Sequence, residues 1–194
     1  RVLFRSIITS PKGLEEYLHS YISVLPYNEL GAAAAAYNAD EKELCRLDEI
    51  YSAVKTPFEI RSGSEKVTRR FFKICNNGRE SFTGLYKSLT EQGICKGHQC
   101  IAYGLYMRDN GIELSEGLAV YGYSICSAIV TNCVKLVPLS QLAGQKILGE
   151  SFELISSASE KALFTDINDI GISGAGFDLR AMQHERLYSR QYMS

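Results

Sequence analysis

Tyr27-Asn28-Glu29-Leu30-Gly31-Ala32-Ala33-Ala34-Ala35-Ala36-Tyr37-Asn38 is the stretch on which the fold class turns. Alanine is the strongest helix former, and the run from Ala32 to Ala36 offers nothing longer than a methyl group. It predicts a helix that a second helix can approach closely, so the run is packing surface rather than low-complexity disorder. On its amino-terminal side, Ser10-Pro11 pairs an N-cap residue with the residue best tolerated at the first helical position. Leu14, Leu18, Tyr21, Ile22 and Leu25 then follow at helical spacing until Pro26 ends or kinks the helix. On the other side, Asp40 caps a third helix carrying Leu44, Leu47, Ile50, Tyr51 and Val54. Thr56-Pro57 opens a fourth through Ile60, Val67, Phe71 and Ile74, closed at Asn77-Gly78.

The same periodicity predicts helices over 80–92, 98–110, 114–136, 138–160 and 178–191, with joints at Asn110-Gly111 and Pro138. Residues 166–176, with Asn168, Asp169, Gly171, Gly174 and Gly176, read as a loop or hinge. Only four prolines interrupt the chain, and no Asn-Gly turn lies between alternating strand-like runs. The expected fold is therefore an all-α single-domain bundle of about eight to ten helices spanning residues 1–194. Residues 1–6 read as a junction or disordered segment, and 178–194 as a carboxy-terminal helix and tail.

With 45% hydrophobic and 22% charged residues the chain reads as ordinary globular protein, and 194 residues suffice for one core. The 21 Lys and Arg against 22 Asp and Glu supply no basic excess for nucleic acid. Even the apolar stretch from Gly122 to Leu139 is interrupted by Ser124, Ser127, Asn132 and Lys135, so no membrane span is expected. The chain carries no secretory leader pattern, and six cysteines are too few for a disulfide scaffold, which predicts free thiols in a reducing, cytoplasmic setting.

Several constellations could carry chemistry. Cys95, His98 and Cys100 put two soft ligands and an imidazole within six residues around Gly97, but the set lacks a fourth ligand and matches no paired zinc spacing. The competing reading is a helix-start histidine beside two partly buried thiols. Cys126 and Cys133 lie two turns apart on one helix face, about 10 Å along the axis, and read as core thiols. Glu15, His19 and Ser23 share a face that offers acid, base and nucleophile without an oxyanion hole, and read as solvated polar surface. Arg61, Lys66, Arg69, Arg70 and Lys73 make the helix after Pro57 basic, a solvated face or a dock for an acidic protein. No Gly-rich phosphate loop followed by Lys-Ser or Lys-Thr is present, so nucleotide chemistry would have to come from a partner.

Two blocks carry a family resemblance. Asp178-Leu-Arg180-Ala-Met-Gln-His184-Glu185-Arg-Leu-Tyr188-Ser189-Arg190-Gln-Tyr-Met-Ser194 resembles the end of the UreF family of urease accessory proteins. Asn132-Cys-Val-Lys135-Leu-Val-Pro138-Leu-Ser-Gln141-Leu-Ala-Gly144-Gln145-Lys-Ile-Leu148 resembles that family's central lysine, proline and paired-glutamine signature. Weaker matches at Leu47-Asp48, Pro57-Phe-Glu59-Ile-Arg61, Arg69-Arg70-Phe71, His98 and Gly104 extend the likeness from about Ile8 onward. The chain departs from the pattern at Thr68, where the family has Gly, and at Gln191, where it has Leu. Gly13-Leu14-Glu15 imitates an amino-terminal family motif but falls in the following helix, which implies an earlier helix that this sequence does not include.

The resemblance implies a non-catalytic, cytoplasmic, dimeric scaffold. It would bind the accessory protein UreD, also called UreH, recruit the GTPase UreG to urease apoprotein, and let nickel pass in transit without binding it firmly as a cofactor. It implies partner-binding roles for Lys135, Gln141, Gln145, Arg180, His184, Glu185, Tyr188, Ser189 and Arg190, and no catalytic residue. A different class of function, a metal-binding regulator, would use Cys95, His98 and Cys100. A hydrolase built on His19 or His184 has only those polar residues to support it.

Overall fold

A computed structural model describes residues 8–75, 78, 81–172 and 175–185, and it is all-α, with no strand among the described residues. Helix α1 (Pro11–Val24) starts where the Ser10 hydroxyl accepts the Gly13 amide at 3.1 Å, and it buries Leu14, Leu18 and Ile22 on one face. Pro26 has no amide hydrogen to continue the ladder, so Leu25–Tyr27 tightens into a 3-10 turn. Helix α2 (Glu29–Asn38) follows and is buried on nearly every side, at Leu30, Gly31, Ala32, Ala33, Ala34 and Ala36.

Helix α3 (Glu41–Val54) opens with a reciprocal cap. Asp40 accepts from the Glu43 amide at 2.8 Å, and Glu43 accepts from the Asp40 amide at 3.0 Å. Its inward stripe is Leu44, Leu47, Asp48 and Tyr51. Helix α4 (Phe58–Ile74) lies at the periphery, since only Thr68 and Phe72 are buried in it. It ends at Ile74 rather than at Asn77-Gly78; Asn77 falls outside the described residues.

Helix α5 (Phe82–Glu91) and helix α6 (Gln99–Asp109) are tied end to start. The Asp109 carboxyl group accepts the Phe82 and Thr83 amides at 2.9 and 2.8 Å, satisfying donors that a helix start leaves open. Arg108 lies 3.5 Å over the Phe82 ring and donates to the Ala39 carbonyl at 2.9 Å. Helix α6 is the partner the alanine run anticipates. A Cβ on Gly104 would lie 2.2 Å from the Ala33 carbonyl oxygen, so the α2 and α6 backbones meet as closely as a bare glycine allows.

Helix α7 (Leu114–Leu136) is long and apolar enough, by length and composition, to cross a membrane, which the reading of its interrupted sequence does not anticipate. Its stripe of Gly117, Leu118, Tyr121, Gly122, Cys126, Val130 and Cys133 is nevertheless buried against the other helices. Residues 138–160 do not form one helix: α8 (Gln141–Glu150) and α9 (Phe152–Ala162) divide at Ser151. The Ser151 amide is shared between the Ile147 and Leu148 carbonyls at 3.1 and 3.2 Å and its hydroxyl also bonds the Ile147 carbonyl at 2.8 Å, so the last turn of α8 tightens and the ladder breaks there. Ser140, not Pro138, sets the start of α8 by accepting the Ala143 amide at 3.1 Å.

The segment read as a loop from 166 to 176 holds a 3-10 turn at Ile167–Asp169, capped by Asp166, and helix α10 (Ala175–Glu185) begins before it ends. Gly171 has φ +103°, and a Cβ there would lie 2.4 Å from Val54, so this turn demands glycine on both counts. Its amide donates to the Tyr27 carbonyl at 2.8 Å, and the Asn28 side-chain amide donates to the Ile172 carbonyl at 3.2 Å. One apolar cluster runs from Ile8 through Leu105 and Cys133 to Ile170.

Candidate functional site

A cleft of ≈ 460 Å³ is bounded by α1, α2, α3, α4, α6 and α7. Tyr17, Tyr21, Tyr51 and Tyr121 line it, with the apolar side chains of Ile60, Val67, Ile125 and Ile129 and the polar groups of Ser64, Gln99, Ser124 and Asn132. An ion pair lies in its wall. Lys55 Nζ sits 2.8 Å from Glu29 Oε1 and 3.3 Å from Asn28 Oδ1, with only 14% and 17% of the Lys55 and Glu29 side chains exposed. Burial pushes the Tyr21, Tyr51 and Tyr121 phenols well above their usual range, and Tyr17 up to about 12, so all four are neutral donors at physiological pH.

The central family-like block reaches this cleft, and the residue before the carboxy-terminal block packs beside it. Asn132, the first residue of the central block, is part of its lining. Phe177, one residue before the carboxy-terminal block, packs edge-on against Tyr17 and Tyr21, with ring centroids 5.4 and 5.5 Å apart. Sequence reading misses the cleft because each of six helices contributes only a few residues to it. The legible signal is the number of tyrosines, 12 in the chain, falling on otherwise apolar stripes.

Cys95, His98 and Cys100 are all buried, more deeply than the partly buried thiols expected, and they do not converge. Cys95 meets Cys45, with sulfurs 3.9 Å apart. His98 Nε2 lies 2.7 Å from the Ser52 hydroxyl, and its ring packs edge-on against Tyr51. Cys100 interacts with Tyr51, and burial raises its thiol to about 12. Among the described residues no group of three or more His, Cys, Asp or Glu could hold a metal ion.

What organises this region is Asp48, 2% exposed on the inward stripe of α3. One of its oxygens accepts the Lys96 amide at 2.7 Å, and the other accepts the Tyr86 hydroxyl at 2.5 Å and the Gly97 amide at 3.1 Å. The Tyr86 oxygen in turn accepts the His98 amide at 2.8 Å. Asp48 thus clamps the segment before α6 to α3 through a closed polar network. Burial lowers the His98 pKa to about 4; nearby Asp48 opposes this shift, and Lys55 and Arg61 add to it. The imidazole is therefore neutral, with Nδ1 buried and without a hydrogen-bond partner among the described residues.

Glu15, His19 and Ser23 do not form the solvated face expected. His19 is half-buried with Nε2 buried and unpartnered among the described residues, while Ser23 bonds the Ser20 carbonyl at 2.7 Å. On α4, Lys66, Arg69, Arg70 and Lys73 are exposed, whereas Arg61 is half-buried and donates to the Lys55 carbonyl at 2.9 Å. Cys126 and Cys133 are core thiols, both 0% exposed.

Lys135, in the last turn of α7, is exposed, and so are Gln141 and Gln145, one turn apart on α8. Arg180 is exposed on α10 and donates to Gln183 at 3.1 Å. His184 and Glu185 end α10, and their side chains fall outside the described residues, as do Tyr188, Ser189 and Arg190 altogether.

The UreF family profile matches residues 8–151. The chain is 32% identical over 193 residues to the urease accessory protein UreF of Actinobacillus pleuropneumoniae serotype 5b, covering 96% of this chain and 85% of that protein. It is 32% identical over 195 residues to the UreF of Haemophilus influenzae, covering 97% and 83%. Against the UreF of Streptococcus thermophilus strain LMD-9 the identity is 27% over 193 residues, covering 96% and 81%. A family match over most of the chain, joined to relatives of this identity and coverage, establishes that this all-α protein is a urease accessory protein rather than an enzyme, a member of the UreF family.

Proposed function

We propose that the protein acts as a homodimeric cytoplasmic scaffold in nickel insertion into urease apoprotein, joining a UreD/UreH-type accessory protein to a UreG-type GTPase. Nickel is cargo in this reading, passing through the assembly without a resident site on this chain. The observation that carries the reading is the exposure of family-like positions at the α7–α8 corner. Lys135, Gln141 and Gln145 point polar groups outward beside well-packed helices: a Cβ on Gly144 would lie 2.8 Å from Val134. A well-packed helical corner carrying exposed polar groups suits a docking surface, because little backbone order has to be gained on binding.

Homodimerisation is supported by the outward side of α7. No charged residue occurs from Gly117 to Val134, yet Val120, Tyr123, Ser124, Ala128, Thr131 and Asn132 are exposed. An uncharged helix face rimmed by polar groups has the composition of a protein interface. His184, Glu185, Tyr188, Ser189 and Arg190 extend the partner surface beyond Arg180 in this reading.

The test is reconstitution of the chain with the accessory protein and the GTPase, scored by mass in solution, for wild type, Lys135→Ala and Gln145→Ala. The reading expects a ternary complex for wild type and at least a tenfold weaker GTPase association for the variants. A folded wild-type chain that forms no complex would refute the scaffold. An unchanged association for both variants would remove the corner from it.

A further inference from the structure

We propose that Cys45 and Cys95 form a dithiol site that a low-molecular-weight disulfide, such as oxidised glutathione, converts into an intramolecular disulfide joining α3 to the segment before α6. The two sulfurs are in van der Waals contact at 3.9 Å, although 50 positions separate the residues in sequence. Their proximity is enforced. Cys45 precedes Asp48 by one helical turn on α3, and Asp48 holds the amides of Lys96 and Gly97, the two residues that follow Cys95. Gly97 fixes the segment further, with φ +88° and room for no Cβ, since one would lie 2.8 Å from Thr90. Bond formation needs the sulfurs to close by only about 2 Å, to a disulfide length of about 2.05 Å.

The accessibility of the two thiols orders the steps. Cys45 is half-buried and reachable, whereas Cys95 is 2% exposed. The Cys45 sulfur, as thiolate, attacks one sulfur of the oxidised glutathione; that S–S bond breaks, and the first glutathione leaves as a thiolate and takes up a proton. The Cys95 sulfur then loses its proton, attacks Cys45 Sγ within the mixed disulfide and displaces the second glutathione. The protein gives up two protons and two electrons, and one glutathione disulfide becomes two glutathione thiols. Burial, then the charges of Asp48 and Cys45, raise the Cys95 pKa, which makes the second step slow and faster at higher pH. The remaining four thiols are placed differently: Cys75 is half-buried at the end of α4, Cys100 lies against Tyr51, and Cys126 and Cys133 are fully buried on α7.

The experiment incubates the full chain with oxidised glutathione, quenches with a thiol-blocking reagent and maps the peptides by mass spectrometry. The expected product is a Cys45–Cys95 linked peptide two hydrogens lighter than its parts. Cys95→Ser should stop at a glutathione adduct on Cys45, and Cys45→Ser should leave Cys95 free. As a readout that needs no variant, the oxidised wild type should melt roughly 5–10 °C above the reduced form, as expected for a staple across a loop of this size. Accumulation of the Cys45 adduct in wild type without a linked peptide would overturn the proposal. So would links formed only through Cys75, or an oxidised form that melts no higher than the reduced one.

Discussion

Replacing Asp48 by Asn tests the reasoning about the clamp most directly, because shape is kept and only hydrogen-bonding capacity changes. Asp48 accepts three bonds, one on one oxygen and two on the other. An amide keeps one accepting oxygen and presents an N–H₂ group where the other stood. If that group faces Lys96, one donor is lost and two donors confront each other; if it faces Tyr86 and Gly97, two donors are lost. Hydrogen bonds to charged groups are worth about 1.5–3 kcal/mol, and a buried donor left unsatisfied costs about 1–3 kcal/mol. Relief of a desolvated charge offsets part of this. The net expectation for Asp48→Asn is a loss of about 2–4 kcal/mol, read as a lower midpoint in urea unfolding with an unchanged slope. Tyr86→Phe removes one of the same bonds and orphans the His98 amide, so it should cost about 2 kcal/mol. Because both changes act on one network, the double variant should fall short of the sum by about 1 kcal/mol or more. A cost below about 0.5 kcal/mol for Asp48→Asn, or strict additivity with Tyr86→Phe, would refute the clamp.

His98, held at about 4 against a usual value near 6.5, gives a pH signature. A lowered pKa means that the unfolded chain binds the proton first, so its contribution is complete above about pH 6.5 and is lost as pH falls towards 4, by up to about 3 kcal/mol. His98→Gln should flatten that slope in urea titrations at stepped pH, and an unchanged slope would count against it. Gly104→Ala forces a methyl group to within 2.2 Å of the Ala33 carbonyl oxygen, so α2 and α6 must part. It should cost about 3 kcal/mol in thermal unfolding, and a neutral result would mean that the contact is looser than described. Lys55→Met leaves Glu29 in the cleft wall without its cation and should cost about 2–3 kcal/mol, while Lys55→Met with Glu29→Gln should recover at least half of it.

The helices were legible where capping chemistry and periodicity agree. Ser10-Pro11, the Asp40 cap and the alanine run each act locally, and each sits where its residues predict. The division at Ser151 was not legible, because Ile147, Leu148 and Ile155 keep helical spacing across it and a serine hydroxyl can equally well face solvent. Of the two readings of Cys95, His98 and Cys100, the helix-start histidine beside two thiols is the one the structure bears out, with the thiols buried more deeply than expected. Gly97 at positive φ and the start of α6 at Gln99 turn the three side chains towards Cys45, Ser52 and Tyr51 respectively, so nearness in sequence becomes divergence in space. Asp48 was within reach of sequence reasoning: it occupies the same helical stripe as Leu44, Leu47 and Tyr51, and a carboxyl group on an apolar stripe needs buried donors. Which donors answer it could not be read, since they come from α5 and from the segment that follows it.

The contact between the Tyr27 carbonyl and the Gly171 amide joins positions 27 and 171. Asn28 and Ile172 repeat the connection 144 positions apart. During synthesis at roughly 5–20 residues per second, the turn after α1 therefore waits on the order of ten seconds for its partner to emerge. The alanine helix itself meets its main partner α6 earlier, since Gly104 against Ala33 is complete once residue 109 has emerged, so it is the turn before α2 that stays open to the end. Closing so long a loop is an entropic cost met late, so the 27–171 contact is among the last links of the fold to be made on a growing chain.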